Sequence, residues 1–249
     1  MTLLQVEHVT KRFGSLVAVN DVSMTVERGE LRAVIGPNGA GKTTFFNLIS
    51  GFLTPSSGRI VFDGQDVSAM PPTQRVWRGM ARTFQITEVF PELSTHDNLR
   101  IAVEVAAGYR LRPWLARDSD GEVQARVGEL LDMGGIAAQA NRLVGELSHG
   151  DQRATEIMMA LALNPRLLLL DEPTAGMGDQ ETYDIAMLIR RLHKNQSLTI
   201  VLIEHDMRVV FNLADRIMVL AEGAPLAEGT PQEIAGNEAV QTAYLGKAA

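Results

Sequence analysis

There are no cysteines in this chain, which excludes disulfides, thiol catalysis and Cys-ligated zinc. The five histidines are scattered, without the spacing of a metal site. Long apolar runs are missing as well. Nothing approaches the ~20 residues that a membrane helix needs, and the stretches at 167–170 and 199–203 are short enough to be buried strands. The N-terminus carries no secretory pattern, because Glu7, His8 and Lys11 interrupt it. A cytosolic chain is expected, with any membrane role coming through a partner. Basic residues are in short supply, 23 Lys and Arg against 30 Asp and Glu for a net charge of −7. The balance gives no electrostatic reason to expect nucleic acid. One locally basic, aromatic stretch, Tyr109-Arg110-Leu111-Arg112-Pro113-Trp114-Leu115-Ala116-Arg117, is read as a solvated connection between helices in preference to a nucleic-acid or lipid-headgroup contact.

What is present is enough for a sizeable core. With 249 residues, 45% of them hydrophobic, the chain can form one large α/β domain. Val22, Met24 and Val26 alternate with polar residues, predicting an antiparallel, β-rich start that turns at Glu27-Arg28-Gly29-Glu30. A second turn at Pro55-Ser56-Ser57-Gly58 leads into a strand over 59–62. From about 88 to 165 the pattern is helical, broken at Pro113, Asp118-Ser119-Asp120-Gly121 and Gly134-Gly135. After Pro165, strands at 167–170, 198–203 and 217–220 alternate with helices at 182–193 and 207–213, which predicts a parallel sheet with covering helices.

The most specific signal is Gly36-Pro37-Asn38-Gly39-Ala40-Gly41-Lys42-Thr43, the full pattern Gly-x₄-Gly-Lys-[Ser/Thr]. It lies between an apolar strand over 31–35 and a helix over 44–49 that stops at Gly51. A glycine-rich turn in that setting aims backbone N–H groups and the positive end of a helix dipole at one point, which suits polyphosphate. Residues Gly36 to Thr43, with Thr44 in the first helical turn, are therefore the candidate nucleotide-binding residues. Lys42 would reach the β- and γ-phosphates and the Thr43 hydroxyl would bind Mg²⁺. Leu167-Leu168-Leu169-Leu170-Asp171-Glu172 reads as a second apolar strand ending in two carboxylates, where α/β sheets place ligand-binding groups. Asp171 would hold Mg²⁺ through its water shell, leaving Glu172 to accept a proton from an attacking water.

With these motifs in order, the chain resembles the ATP-binding subunit of an ABC transporter from about residue 3 onward. Phe13, in Lys11-Arg12-Phe13-Gly14, matches the family's adenine-stacking aromatic. Gln85, in Arg82-Thr83-Phe84-Gln85, matches the glutamine that touches Mg²⁺ and senses the membrane partner. His205, in Ile203-Glu204-His205-Asp206, matches the switch histidine that contacts the γ-phosphate. Leu147-Ser148-His149-Gly150-Asp151-Gln152 matches the Leu-Ser-Gly-Gly-Gln motif imperfectly, with His149 for its first glycine and Asp151 for its glutamine. Ser148 and Gly150, the hydrogen-bonding pair toward the γ-phosphate, are kept, and Asp151 is expected to point away. The family's D-loop aspartate falls at Gly178, with Asp179 one residue later.

The resemblance implies a P-loop NTPase fold: a mixed parallel sheet, an N-terminal antiparallel β subdomain and an inserted helical subdomain. The whole chain, 1–249, would be one cassette, with 1–87 and 166–249 as core and 88–165 as the helical part. It further implies a catalytic set of Glu172, His205 and Lys42, a metal set of Thr43, Gln85 and Asp171, and ATP with Mg²⁺ as cofactors. A head-to-tail dimer, homo- or heteromeric, would close the site with Ser148 and Gly150 of a second ATP-binding subunit. Ala175-Gly176-Met177-Gly178-Asp179-Gln180-Glu181-Thr182 is similar to the branched-chain amino acid, urea and amide importer group. So is the tail Glu228-Gly229-Thr230-Pro231 with Ala243-Tyr244-Leu245-Gly246. That group implies two permeases, a periplasmic solute-binding protein and a position on the inner face of the cell membrane. The open alternatives are a lipid or lipopolysaccharide exporter ATPase, a soluble ABC ATPase and a module that binds nucleotide without hydrolysing it.

Overall fold

The computed structural model describes residues 1–83, 89–108 and 120–245. Gln85, the basic stretch at 109–117 and Gly246 lie outside them. In chain order the elements are β1 (Thr2–Phe13), β2 (Leu16–Glu27), β3 (Leu31–Ile35), α1 (Lys42–Ser50), β4 (Ser57–Phe62), β5 (Gln65–Asp66), α2 (Pro72–Trp77) and β6 (Met80–Arg82). There follow α3 (Thr95–Ala106), α4 (Asp120–Gly134), two 3₁₀ turns (Ala137–Gln139 and Val144–Glu146), α5 (His149–Ala162), β7 (Leu167–Asp171) and α6 (Asp179–Gln196). The chain continues through β8 (Thr199–Ile203), α7 (Met207–Leu213), β9 (Arg216–Ala221), β10 (Ala224–Gly229), α8 (Pro231–Ala235) and α9 (Glu238–Leu245).

Continuous apolar runs make the central strands. Every residue of β3, β7 and β8 is buried, as expected where a parallel sheet is covered on both faces. The six-stranded order is β10-β9-β3-β8-β7-β6, parallel except for the antiparallel edge strand β10. Successive side chains of a strand point to opposite faces, and β3 obeys this. Ala33 and Ile35 join the core that packs α3, α5 and α6 through Leu99, Ile157 and Leu188. Val34 joins the opposite core, with Phe45, Phe46 and Ile49 of α1.

That second core is shared with a separate antiparallel sheet, β2-β1-β4-β5. The alternation in β2 buries Val22, Met24 and Val26 there, and fully burying a side chain of this size stabilises the fold by roughly 1.5–3 kcal/mol. Helices α3, α4 and α5 pack on one another, forming the helical stretch expected after residue 88. Three differences from the sequence expectation stand out. Helix α1 begins at Lys42, two residues early. Helix α6 runs beyond 182–193 at both ends. The strands β6 and β10 were not anticipated: β6 has three residues, and β10 contains Pro225, which is tolerated on an edge strand where its missing N–H costs no ladder bond.

Candidate functional site

Strand β3 delivers the chain into the loop at 36–41, and the loop feeds directly into α1. Gly41 takes φ +92, the left-handed region, and a Cβ there would collide with the Ala18 carbonyl. Glycine is therefore required on both conformational and steric grounds. No side chain caps α1, so its first-turn amides face the loop, in the arrangement that attracts an anion. The Lys42 ammonium is buried and donates to the carbonyls of Gly36 (2.7 Å) and Pro37 (3.2 Å). Burial lowers its pKa from the usual lysine value, while the nearby charges of Glu172 and Asp171 work in the opposite direction.

A cleft of about 510 Å³ opens over this loop. Asn38, Gly39, Ala40, Gly41, Lys42, Thr43 and Thr44 form its floor, Leu16, Val17 and Ala18 one wall, and Glu172, Glu222 and Gly223 the rest. The turn between β9 and β10 is tied in place from both sides. The Gly223 amide donates to Ala40 (3.2 Å), and its carbonyl accepts from the Asn20 amide (2.7 Å). Sequence reasoning did not find the walls at 16–18 and 222–223, since a Glu-Gly turn signals a reversal and not what it faces. Phe13 sits at the tip of the β1–β2 hairpin, paired with Leu16, half-exposed and beneath the Lys11 ammonium. It is not among the residues that wall the cleft.

The ends of β7 and β8 lie beside the loop. Glu172 follows β7 at φ +45, an uncommon conformation for a residue with a Cβ and of the kind found at functional sites. Its amide donates to the Ile203 carbonyl (2.9 Å). Its carboxylate lies 3.9 Å from His205 Nδ1, on an imidazole that is more than half exposed. Asp171 is buried and pairs at 2.8 Å with Arg82, at the end of β6. Arg82 also donates to Asn47 and Ser50 and stacks near Phe46 and Phe52, a role no sequence signal announced. The Thr43 hydroxyl and Asp171 carboxylate supply oxygen donors at adjacent element ends, a donor chemistry that fits Mg²⁺.

Ser148 and Gly150 lie elsewhere, on a second cleft of about 280 Å³ bounded by α5, α6 and Gly134 to Ile136. Ser148 caps α5, its hydroxyl accepting from the Asp151 amide (3.2 Å). The Gly150 amide donates to Glu181 (3.1 Å), a partner not foreseen from sequence. Gly178 is the N-cap of α6, and Asp179 pairs with Arg208 on the surface. One chain thus keeps the Ser148 segment and the glycine loop in separate clefts.

A family model described as ABC transporter matches residues 19–175, and one described as branched-chain amino acid ATP-binding cassette transporter matches residues 224–249. The chain is 40% identical, over 99% of its length and 98% of the relative's, to the high-affinity branched-chain amino acid transport ATP-binding protein BraF of Pseudomonas aeruginosa. Among solved structures it resembles the ADP conformation of an ATP-binding cassette of an ABC transporter, with TM-score 0.84 and 28% identity over 99% of this chain and 100% of that one. A dimeric post-hydrolysis cassette bound to ADP and Pi aligns with TM-score 0.77 and 25% identity, over 92% of this chain and 99% of that one.

Proposed function

Since the chain belongs to the ABC transporter family of ATP-binding proteins, we propose that it hydrolyses ATP to power uptake of branched-chain amino acids. The observation that carries the solute class is the match of 224–249 to the branched-chain cassette model, alongside the similarity to BraF. The cassette is one unit over 1–249, with 1–87 and 166–249 as its nucleotide-binding core and 88–165 as its helical part.

In this reading the 36–41 loop and the first-turn amides of α1 grip the phosphates, and Lys42 exchanges its loop carbonyls for β- and γ-phosphate oxygens. Thr43, Gln85 and Asp171 would hold Mg²⁺, which neutralises phosphate charge when bound. Phe13 provides the adenine stack from its hairpin tip. Glu172 polarises the attacking water and His205 holds the γ-phosphate, so that catalysis is chiefly positioning and charge neutralisation. Ser148 and Gly150 lie on a separate cleft from the loop, which supports a head-to-tail dimer in which each supplies the other's missing wall. The second subunit is a copy or a related ATPase. Two permeases within the membrane and a periplasmic solute-binding protein complete the assembly, with this chain on the inner face of the membrane. Among the described residues no helix is long and apolar enough to cross a membrane.

The test is phosphate release beside equilibrium titration with an ATP analogue. Glu172→Gln should bind nucleotide and turn over at least ~10²-fold more slowly, the scale of a lost general base; a wild-type rate would refute the assignment. Purification from solubilised membranes should bring down two permeases that, in proteoliposomes supplied with the solute-binding protein, take up labelled leucine on ATP addition. Uptake of no branched-chain amino acid would overturn the solute class alone.

A further inference from the structure

Glu204 has a fully buried side chain, yet it is absent from the cleft walls and the reading above gives it no task. A carboxylate removed from water costs several kcal/mol unless donors replace the lost hydration. Here they do, and they come from two different loops. One oxygen accepts from the Thr174 amide (3.0 Å) and the Thr174 hydroxyl. The other accepts from the amides of His205 (2.9 Å) and Asp206 (3.4 Å). Thr174 lies in the turn that follows Glu172, and that turn is closed by the Ala175 amide donating to the Glu172 carbonyl (3.1 Å).

Two ties therefore join the end of β7 to the end of β8. The backbone tie runs from the Glu172 amide to Ile203, and the side-chain tie runs from Glu204 to Thr174. The two ties flank Glu172, which sits at φ +45 with its carboxylate 3.9 Å from His205 Nδ1. We infer that Glu204 is a positioning residue for ATP hydrolysis, a buried clamp that fixes Glu172 and His205 relative to one another. The inference rests on the reading that Glu172 and His205 act on the γ-phosphate and its water. A displacement of about 1 Å between reacting groups costs on the order of 10²-fold in rate, so a clamp of this kind acts on kcat far more than on nucleotide affinity.

Glu204→Gln keeps the volume and replaces one acceptor by an NH₂ that faces N–H donors. In phosphate-release assays on the full chain, kcat should fall roughly 10- to 100-fold with KM within about threefold of wild type. Thr174→Val, which removes one donor, should lower kcat by roughly fivefold, and Thr174→Ser, which restores the hydroxyl, should recover it to within about twofold. Added to Glu172→Gln, the Glu204→Gln change should cause no further loss, because residues acting as a unit are non-additive. Wild-type kcat in Glu204→Gln, alongside an inactive Glu172→Gln, overturns the clamp and leaves the site reading intact. So does a raised KM and lowered thermal midpoint with kcat unchanged, which marks a structural role. If Glu204→Gln does not fold, the Thr174→Val and Thr174→Ser pair decides, and equal wild-type rates for both overturn the clamp. A wild-type rate in Glu172→Gln instead refutes the site reading itself.

Discussion

The Glu181 carboxylate accepts the Gly150 amide at 3.1 Å and, through its other oxygen, the Gly178 amide at 3.4 Å. One side chain thus spans the starts of α5 and α6, and it holds the amide that the proposed dimer would offer to a partner's γ-phosphate.

Removing that carboxylate should make the amide available. In a Glu172→Gln background, where ATP is bound and not consumed, Glu181→Ala should tighten ATP-dependent dimerisation roughly tenfold, the scale of one charge-assisted hydrogen bond. Sedimentation equilibrium across an ATP series measures it. Weakened dimerisation would mean that Glu181 supports the closed state instead of competing with it.

The same contact sets an acid limit on stability. The Gly150 amide, chiefly, holds the Glu181 carboxyl below its usual value of 4.5. The Thr230 amide does the same for Glu233. A carboxyl whose folded pKa is depressed contributes stability that is complete above its unfolded pKa and is lost as pH falls through the folded one. Urea midpoints should therefore hold steady above about pH 5 and fall below it, and Glu181→Gln should make that fall shallower. An unchanged acid profile in the variant would remove Glu181 from the account.

Arg75 is nearly fully buried, and among the described residues no carboxylate accepts its hydrogen bonds. It donates instead to the carbonyls of Leu48, Ile49, Val67, Ser68 and Met70, stitching the end of α1 to the chain after β5. Burial pushes its pKa down to about 10. Arg75→Met removes the guanidinium from all five carbonyls, of which Leu48 and Val67 keep the amides of Gly51 and Met70, and should cost about 3 kcal/mol, read from denaturant unfolding. A loss under 1 kcal/mol would show that water replaces the guanidinium.

Gly41→Ala should abolish nucleotide binding with little change in far-UV circular dichroism. The alanine would need φ +92 and would strike the Ala18 carbonyl, so the loop must move away from the wall at 16–18. Retained affinity in calorimetry would show that the loop tolerates the shift.

How far the sequence could be read depended on whether a feature was local. The glycine loop, α1 and the apolar strands at β3, β7 and β8 follow from a handful of adjacent residues, and they emerged within two residues of where the pattern put them. Helix α7 emerged at its expected bounds, 207–213, because Asp206 caps it and Leu213 ends its apolar face. The partners of these elements were another matter. Arg82 meets Asp171 across 89 residues, Glu181 meets Gly150 across 31, and Glu204 meets Thr174 across 30. No periodicity encodes such pairings, since they arise from the order in which strands line up in the sheet and from which helices pack side by side. The match of Phe13 to an adenine-stacking position was legible only by family likeness, as an exposed aromatic at a hairpin tip has no distinctive local signature. Gln85 lies outside the described residues.

The bond between the Gly223 amide and the Ala40 carbonyl has a bearing on biosynthesis. A polypeptide still threading out of the ribosome has made its phosphate loop long before it owns the turn that walls the cleft. The cleft has that wall only once the chain has been made past residue 223 and the turn has docked on Ala40. A chain stopped short of that turn would carry the phosphate loop with one side of its cleft open.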